Sequence, residues 1–293
     1  MPHVKPWQLA KAAGVHIREN TKVNDIVSDP AGFCVETSQQ NFRAKIACAC
    51  YGKRSNIDIK WKRPFSIAAK NKLNNYIGVK YHIKTPARLH YFNIEWSGGD
   101  FPADTIALHN FKNGYCGISK IEDDKYCLCY LTTADNLQKS KGDIKTMEQT
   151  ILGQNPHLKK IFAESEFLYD SPVTISQISF DKKKQVEDHV LMTGDAAGMI
   201  TPLCGNGMSM ALHGSKMLAA HVHDFLLGNI TRAEMEKHYS LQWQQEFSHR
   251  LKTGRRIQRL FGGQWLTNLF ISLVKPFPRL IELLIKQTHG KPF

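Results

Sequence analysis

The chain has 293 residues and a formal net charge of +13 at neutral pH, from 39 Lys and Arg against 26 Asp and Glu. This length suits one large domain or two closely joined domains with a substantial core. No zinc-finger or RNP-like spacing accompanies the basic residues, so we do not expect a nucleic-acid-binding protein. Most of them, including the concentrations at 60–63, 182–184 and 250–259, are interpreted as solvated faces.

The first 60 residues alternate between helical and strand-like patterns, which is typical of an α/β fold. Residues 7–13 predict a helix, and Gly14 follows where a glycine often ends one. Alternating residues at 15–27 and 33–38 predict strands. The segment 42–59 contains a short apolar run that ends at Gly52 and is followed by a polar turn.

Repeated strand-like runs separated by turn residues fill the next 120 residues and predict an antiparallel or mixed sheet. Helical patterns at 143–152 and 156–163 precede a last strand near 173–180. The α/β pattern then returns with a strand and a long helix from Met208. The predicted organisation is an α/β domain from 1–60 and 181–230, a sheet-rich domain at 61–180 and a helical, basic region at 231–293.

The seven cysteines contain no C-x-x-C pair, so neither a metal site nor a dithiol site is expected. We interpret them as reduced, buried, small apolar residues of a cytoplasmic protein, since the N-terminus also lacks the apolar stretch of a secretory signal. The segment 265–285 comes nearest to a membrane span, but two prolines and two basic residues interrupt it. It predicts two short amphipathic helices that either pack on the core or lie on a membrane surface.

The stretch "TGDAAGMITPLCGNGMSMAL" at 193–212 combines a strand end, an acidic residue and a glycine pair before a helix. Asp195 places a carboxylate at the carboxyl edge of a sheet, where it can accept hydrogen bonds from the hydroxyls of a sugar or polyol. The turn 205–207 lets backbone amides approach a ligand at a helix N-terminus, and we expect Gly207 to need a positive φ. A helix N-cap followed by a plain glycine turn is the alternative.

These residues resemble the second flavin-binding motif of FAD-dependent oxidoreductases of the para-hydroxybenzoate hydroxylase type, most closely the geranylgeranyl reductase branch. The resemblance implies that Asp195, beside Gly194, contacts the ribityl chain of FAD and that Pro202 lies beside the isoalloxazine. It assigns the pyrimidine edge of the flavin to the amides of four residues, Gly205, Asn206, Gly207 and Met208.

Three upstream segments resemble the family's in the same order. Residues 7–15 are similar to its segment ending in A-x-x-x-G-V, and the strand around Val23 resembles the one whose backbone lies beside the adenine. "CYGKRSNID", with Gly52, resembles its Ala-x-Gly-x-x-Ser turn near the pyrophosphate. The implied fold is a Rossmann-like FAD-binding domain with an inserted β-sheet substrate domain and a helical C-terminus.

The resemblance also has two departures. The family's first βαβ unit with Gly-x-Gly-x-x-Gly has no match here, so we expect either a truncated product of a longer gene or a form that has lost half of its cofactor cradle. The chain as written is expected to retain FAD poorly and to be poorly soluble. Tyr115 matches an aromatic motif of the prenyl-reducing relatives, but Gly117 and Lys120 stand in place of its tryptophan and proline.

The leading interpretation is an FAD-dependent reductase of a double bond in a small hydrophobic substrate, with NAD(P)H as electron donor. One alternative is a flavin monooxygenase or halogenase acting on a small aromatic or polyketide. The other is an inactive fragment that binds a membrane surface or a partner through its basic C-terminus. No catalytic residue can be assigned: His90, His109, Tyr115 and Cys204 lie in suitable regions, but lone residues of these types are more often structural.

Overall fold

The computed structural model describes residues 5–67, 76–85, 104–261 and 263–290. Its helices are α1 (Pro6–Ala12), α2 (Asn56–Lys60), α3 (Pro64–Ile67), α4 (Ala134–Lys139), α5 (Ile144–Thr150), α6 (Pro156–Glu164), α7 (Gly207–Leu226), α8 (Arg232–Gln258), α9 (Gln264–Val274) and α10 (Pro278–Thr288). Its strands are β1 (Val23–Asp29), β2 (Gly32–Thr37), β3 (Asn41–Ala44), β4 (Cys48–Ala49), β5 (Tyr76–Lys84), β6 (Ile106–Phe111), β7 (Gly114–Lys120), β8 (Tyr126–Thr133), β9 (Glu166–Phe167), β10 (Val173–Ile178), β11 (Val186–Glu187) and β12 (Val190–Met192).

The described strands form three sheets. The largest has the order β10-β5-β8-β7-β6, with β9 also paired to β5, and its pairings are antiparallel as predicted. Strands β1, β2 and β3 form a small antiparallel sheet. In the third sheet β12 pairs with β11 and runs parallel to β4, with Leu191 opposite Cys48.

Most predicted elements are present, with differences at particular residues. The helices expected at 143–152 and 156–163 are α5 and α6, and the two C-terminal helices are α9 and α10 on either side of the Pro276–Pro278 break. Helix α4 was not predicted, because Thr132 and Thr133 extended the strand pattern to its first residue. His90 lies outside the described residues.

Two main cores hold the elements together. One packs β4 and β12 against α7 and α8 and includes Met192, Tyr239 and Phe247. The other lies between the large sheet and α5 and α6, around Leu128 and Met147. A smaller apolar cluster on the opposite face of that sheet packs against the turn that precedes α7. This third cluster brings the large sheet next to the 193–212 motif.

Arg63 lies in the interior, with 1% of its side chain exposed, so its interpretation as part of a solvated face is wrong. Its Nη1 donates to Asp58 Oδ1 at 2.9 Å and to the Ala196 carbonyl at 3.4 Å, and its Nη2 donates to the Lys184 carbonyl at 3.0 Å. Tyr51 Oη donates to the same Asp58 oxygen at 2.6 Å. One guanidinium therefore links the turn after β4 to the turn after β12.

The cysteines differ from the prediction that all are buried. All seven are free thiols, but only Cys116 and Cys204 are buried, and Cys48 and Cys50 are exposed. Side chains alternate between the two faces of a strand, so burial of Ala49 in β4 directs both neighbouring cysteines away from the core.

We predict that Arg63→Met lowers the free energy of unfolding by about 3–5 kcal/mol, because it leaves the Asp58 carboxylate buried without its cation. Urea unfolding of the variant and the parent chain measures the difference. Arg43→Met is the matched control, since Arg43 pairs with Asp29 at an exposed position. Equal losses in the two variants would contradict the special role of the buried pair.

Candidate functional site

The parallel pairing of β4 with β12 brings two distant motifs to one sheet edge. Thr193 N donates to the Ala49 carbonyl at 3.1 Å, so the segments that follow β4 and β12 leave the sheet side by side at the carboxyl ends of these strands. Gly52 follows β4, while Gly194 and Asp195 follow β12. Ligands of open α/β sheets bind at this edge.

Lys183 connects the two turns directly. Its Nζ donates to the Lys53 carbonyl and to the Asp195 carbonyl, both at 2.7 Å, and lies 4.3 Å from the centre of the Phe65 ring. The residue is only 9% exposed, so its interpretation as a solvated lysine is wrong. Burial lowers the pKa of Lys183 to about 8. Because the contact joins residues 130 positions apart, no local sequence pattern could have revealed it.

Asp195 lies in a single 3₁₀ turn, Gly194–Ala196, directly after β12. The turn is tight, with Gly194 at a φ of +60°. Burial raises the pKa of the Asp195 carboxyl, and the nearby Lys183 charge opposes that shift. Asp195 and Gly207 line the same cavity of about 10 Å³, room for roughly one water molecule. The carboxylate end of the motif therefore faces the start of α7.

The turn before α7 contains the left-handed glycine that this motif needs. Pro202 is exposed and begins a 3₁₀ turn that ends at Cys204, and Gly205 follows with a φ of +70°. Gly207 has no positive φ, which corrects the prediction, because it is already the first residue of the helix. A Cβ at Gly207 would lie 3.8 Å from the nearest described atom, Cγ2 of Ile200, which is ordinary van der Waals contact.

Helix α7 begins with unused hydrogen-bonding capacity. Among the described residues no side chain caps its N-terminus, so the first amides remain able to donate to a ligand. Asn206 Nδ2 donates to the Thr288 carbonyl at 2.5 Å, whereas its buried Oδ1 has no partner in the described part of the chain. Met208 exposes 85% of its surface beside this turn. The helix start thus offers both donors and an acceptor.

Val23 and Gly52 are joined through the start of α2. The Val23 carbonyl accepts a hydrogen bond from Asn56 Nδ2 at 3.0 Å, and Gly52 has a φ of +81°. Ser55, the serine of this motif, caps α2: its Oγ accepts from Ile57 N at 3.2 Å. Val23 therefore lies next to the start of α2, the helix that follows the Gly52 turn and that Ser55 caps.

The other candidate residues lie in two different places. Tyr115 is buried on the sheet face that packs against Leu203, and its ring centre lies 6.2 Å from that of Phe261. Burial raises the pKa of the neighbouring Cys204 thiol, as expected for an unactivated cysteine. His109 lines a separate groove beside α6 and α9, where burial lowers its pKa to about 4. Of these residues, Cys204 belongs to the 193–212 motif and Tyr115 packs next to it.

Comparison with protein families and curated proteins gives partial matches. Residues 118–248, less than half of the chain, match the family model described as squalene epoxidase. Conditioned medium factor receptor 1 of Dictyostelium discoideum is 25% identical over 264 residues, covering 84% of this chain and 46% of that protein. The uncharacterized protein MJ1520 of Methanocaldococcus jannaschii is 32% identical over 78 residues, 27% of this chain and 19% of that protein. The chain spans about half the length of these relatives or less.

Solved structures agree more extensively. The flavin-dependent brominase Bmp2 superposes with a TM-score of 0.68 at 16% identity, covering 95% of this chain and 66% of that one. HpxO of Klebsiella pneumoniae, complexed with FAD and uric acid, gives a TM-score of 0.68 at 14% identity, with 92% and 66% covered. PqsL of Pseudomonas aeruginosa, a probable FAD-dependent monooxygenase, gives 0.58 at 14%, with 89% and 70% covered. The predicted fold class is confirmed: the chain has the mixed α/β fold of FAD-dependent monooxygenases and halogenases.

We predict that Gly198→Ala destabilises the site by about 1–3 kcal/mol, because the new Cβ would lie 2.5 Å from Cη2 of Trp243. Trp243 cannot withdraw easily, since it is buried and packs against Phe247. Thermal or urea unfolding gives the loss. Gly207→Ala is the control within the same motif and should unfold like the parent chain; a loss as large as that of Gly198→Ala would show that packing against Trp243 is not the cause.

Proposed function

We propose that this chain provides the flavin and substrate sites of an FAD-dependent oxidoreductase, of the geranylgeranyl reductase-like branch, that acts on a small hydrophobic substrate with NAD(P)H as electron donor. The observation that carries the proposal is the meeting of the Gly52 and Asp195 turns at one sheet edge, opposite the start of α7. This arrangement joins motifs that the sequence separates by more than 140 residues.

The residues present fit FAD. The pyrimidine edge of a flavin carries an N–H donor and carbonyl acceptors, which match the unpartnered Oδ1 of Asn206 and the uncapped amides of Gly207 and Met208. Asp195 would accept hydrogen bonds from the ribityl hydroxyls, beside the exposed Pro202. Val23 would lie beside the adenine and Gly52 near the pyrophosphate, as the resemblance implies. When bound, FAD supplies hydride or oxygen chemistry.

The substrate side would be formed by the large sheet. Its apolar cluster of Tyr115, Leu131 and Phe180 faces Met199 and Leu203 of the turn before α7. These side chains pack directly against one another, and a substrate bound next to them would meet an apolar surface, which favours a hydrophobic molecule. Tyr115 would present its hydroxyl as a polar group in this lining.

Oxygen-dependent chemistry is the second candidate, favoured by the structural likeness to a flavin-dependent brominase and to a probable FAD-dependent monooxygenase. The two reactions differ in their need for O₂. A reductase oxidises NAD(P)H in the presence of its substrate under anaerobic conditions, whereas a monooxygenase or halogenase requires oxygen. Measuring substrate-dependent NAD(P)H oxidation with and without O₂ separates them.

The C-terminal helices support a second proposal, contact with a membrane surface. Trp265, Leu269 and Leu273 recur at four-residue spacing on α9 and are 73%, 43% and 61% exposed. Leu280 and Leu283 on α10 are also exposed, at 41% and 51%. No helix in the described ranges is both long and apolar enough to cross a bilayer. Apolar side chains beside a basic helix suit an interfacial rather than a spanning position.

For membrane contact we predict that the triple variant Trp265→Ser/Leu269→Ser/Leu273→Ser sediments less with anionic liposomes than the parent chain does. The loss follows from the smaller apolar area available for insertion. The control is Leu108→Ser/Leu241→Ser, which removes exposed leucines from β6 and α8. Sedimentation of the parent chain that is no greater with anionic than with neutral liposomes would contradict the contribution of the basic residues.

For the flavin site we predict that Asp195→Ala weakens FAD binding by about tenfold or more, since a hydrogen bond to a charged acceptor contributes about 1.5–3 kcal/mol. Flavin fluorescence quenching, on the full polypeptide that carries this sequence, measures the affinity. Asp135→Ala, at an exposed position on α4, is the control. Unchanged affinity in Asp195→Ala would remove this carboxylate from the site, and failure of the polypeptide to bind FAD would favour the non-enzymatic alternative.

A further inference from the structure

A further cavity lies next to the Asp195 turn, on the side of α8. It is a groove of about 580 Å³ between residues 181–185, Ala197 and Gly198 of the turn, and the C-terminal half of α8. Its volume falls within the range of about 300–1,000 Å³ that is usual for small-molecule sites. It shares Gly198 and Trp243 with the small cavity beside Asp195 but opens in the 181–185 region instead.

The groove, named here the basic groove, concentrates positive charge. Two separate segments supply its cations, which are Lys182, Lys183, Lys252, Arg255, Arg256 and Arg259. Asp181 is the single acidic residue among those that line it. Lys252, Arg255 and Arg256 on α8 and Arg259 at its C-cap follow the spacing i, i+3, i+4 and i+7, so they share one helix face, where like charges repel and destabilise the helix.

No carboxylate in the described ranges lies at ion-pair distance from any of the six cations. Carboxylates farther away still act on two of them: the charge of Asp181 attracts Arg255, and the charges of Asp58 and Asp195 attract Lys183. Arg255 is half-buried and donates to the Phe180 carbonyl at 3.4 Å, and burial together with the Arg259 charge lowers its pKa. The helix dipole favours Arg255 and Arg256 in the last turn, but it gives no reason for Lys182 to approach from another segment.

The remaining walls suit an organic ligand. Ser248 and Gln244 add polar groups one turn and two turns before the first α8 cation, Lys252. Trp243, Leu251 and Ala197 provide apolar surface. A free inorganic ion would use only the cations. A phosphorylated molecule with a sugar or a ring would use both kinds of wall.

We propose that the basic groove binds a small soluble nucleotide and that its cations contact the diphosphate of this ligand. Guanidinium groups match phosphate oxygens in paired hydrogen bonds, and the ammonium group of Lys182 adds a point charge at the other wall. The site is separate from the one assigned to FAD and does not depend on it. Nucleotides and inorganic pyrophosphate share this chemistry, so the test includes both.

The test is isothermal titration of the chain with ADP, NADPH and inorganic pyrophosphate, each at low and at high salt. We expect ADP and NADPH to bind, with affinity that falls as salt screens the cations. Arg256→Gln/Arg259→Gln removes two exposed charges and should weaken that binding about tenfold or more. Lys159→Gln/Lys160→Gln makes the same charge change at exposed positions on α6 and should leave the affinity unchanged. Thermal unfolding of each variant verifies that it remains folded.

The outcomes separate the sources of phosphate. Tighter binding of nucleotides than of pyrophosphate supports the nucleotide class, while binding of pyrophosphate alone would overturn that part of the proposal. Absence of binding, or equal losses in the two double variants, would overturn the site itself. The proposal would also be overturned if no small phosphate compound bound and Arg256→Gln/Arg259→Gln lost binding to anionic vesicles. That result would show that these arginines bind lipid headgroups.

Discussion

The interaction on which the candidate site depends is the burial of one guanidinium, Arg63, behind the sheet edge. An ion of this kind is stable in a protein interior only when acceptors surround it. Asp58 supplies the opposite charge, and the carbonyls of Lys184 and Ala196 supply further acceptors from the other side of the edge. The turns after β4 and β12 are thereby held at a fixed separation, with Lys183 bridging them a short distance away.

The large positive charge of the chain divides into groups with different physical roles. Arg63 and Lys183 are largely buried and stabilise the turns that form the site. The cations on the last turns of α8, together with Lys182, line a groove and lack carboxylate partners in the described part of the chain. Many others are exposed, for example Lys159 and Lys160 on α6. The net charge of the chain therefore combines cations that make structural contacts, cations of a proposed ligand site and cations on the solvated surface.

The glycines of the 193–212 motif also divide by role. Gly194 and Gly205 adopt positive φ values that let the chain turn before and after the Pro202 segment. Gly198 is required because the Trp243 ring lies where its side chain would be. Gly207 has neither constraint, so a role for its missing side chain would have to come from close approach of a ligand. Some residues of the motif therefore allow close packing between β12, α7 and α8, and others are available to bind a ligand.

The sequence alone predicted most of the helices and strands, the α/β class and the position of the Asp195 motif, because hydrophobic periodicity and local turn residues carry that information. It did not reveal that Arg63 and Lys183 are buried, that Cys48 and Cys50 are exposed, or that Lys182 and Arg256 line one groove. These properties come from contacts between segments far apart in the chain, such as the 121 residues between Arg63 and Lys184. Burial and shared electrostatic surroundings are set by such long-range packing, so only the tertiary structure could decide them.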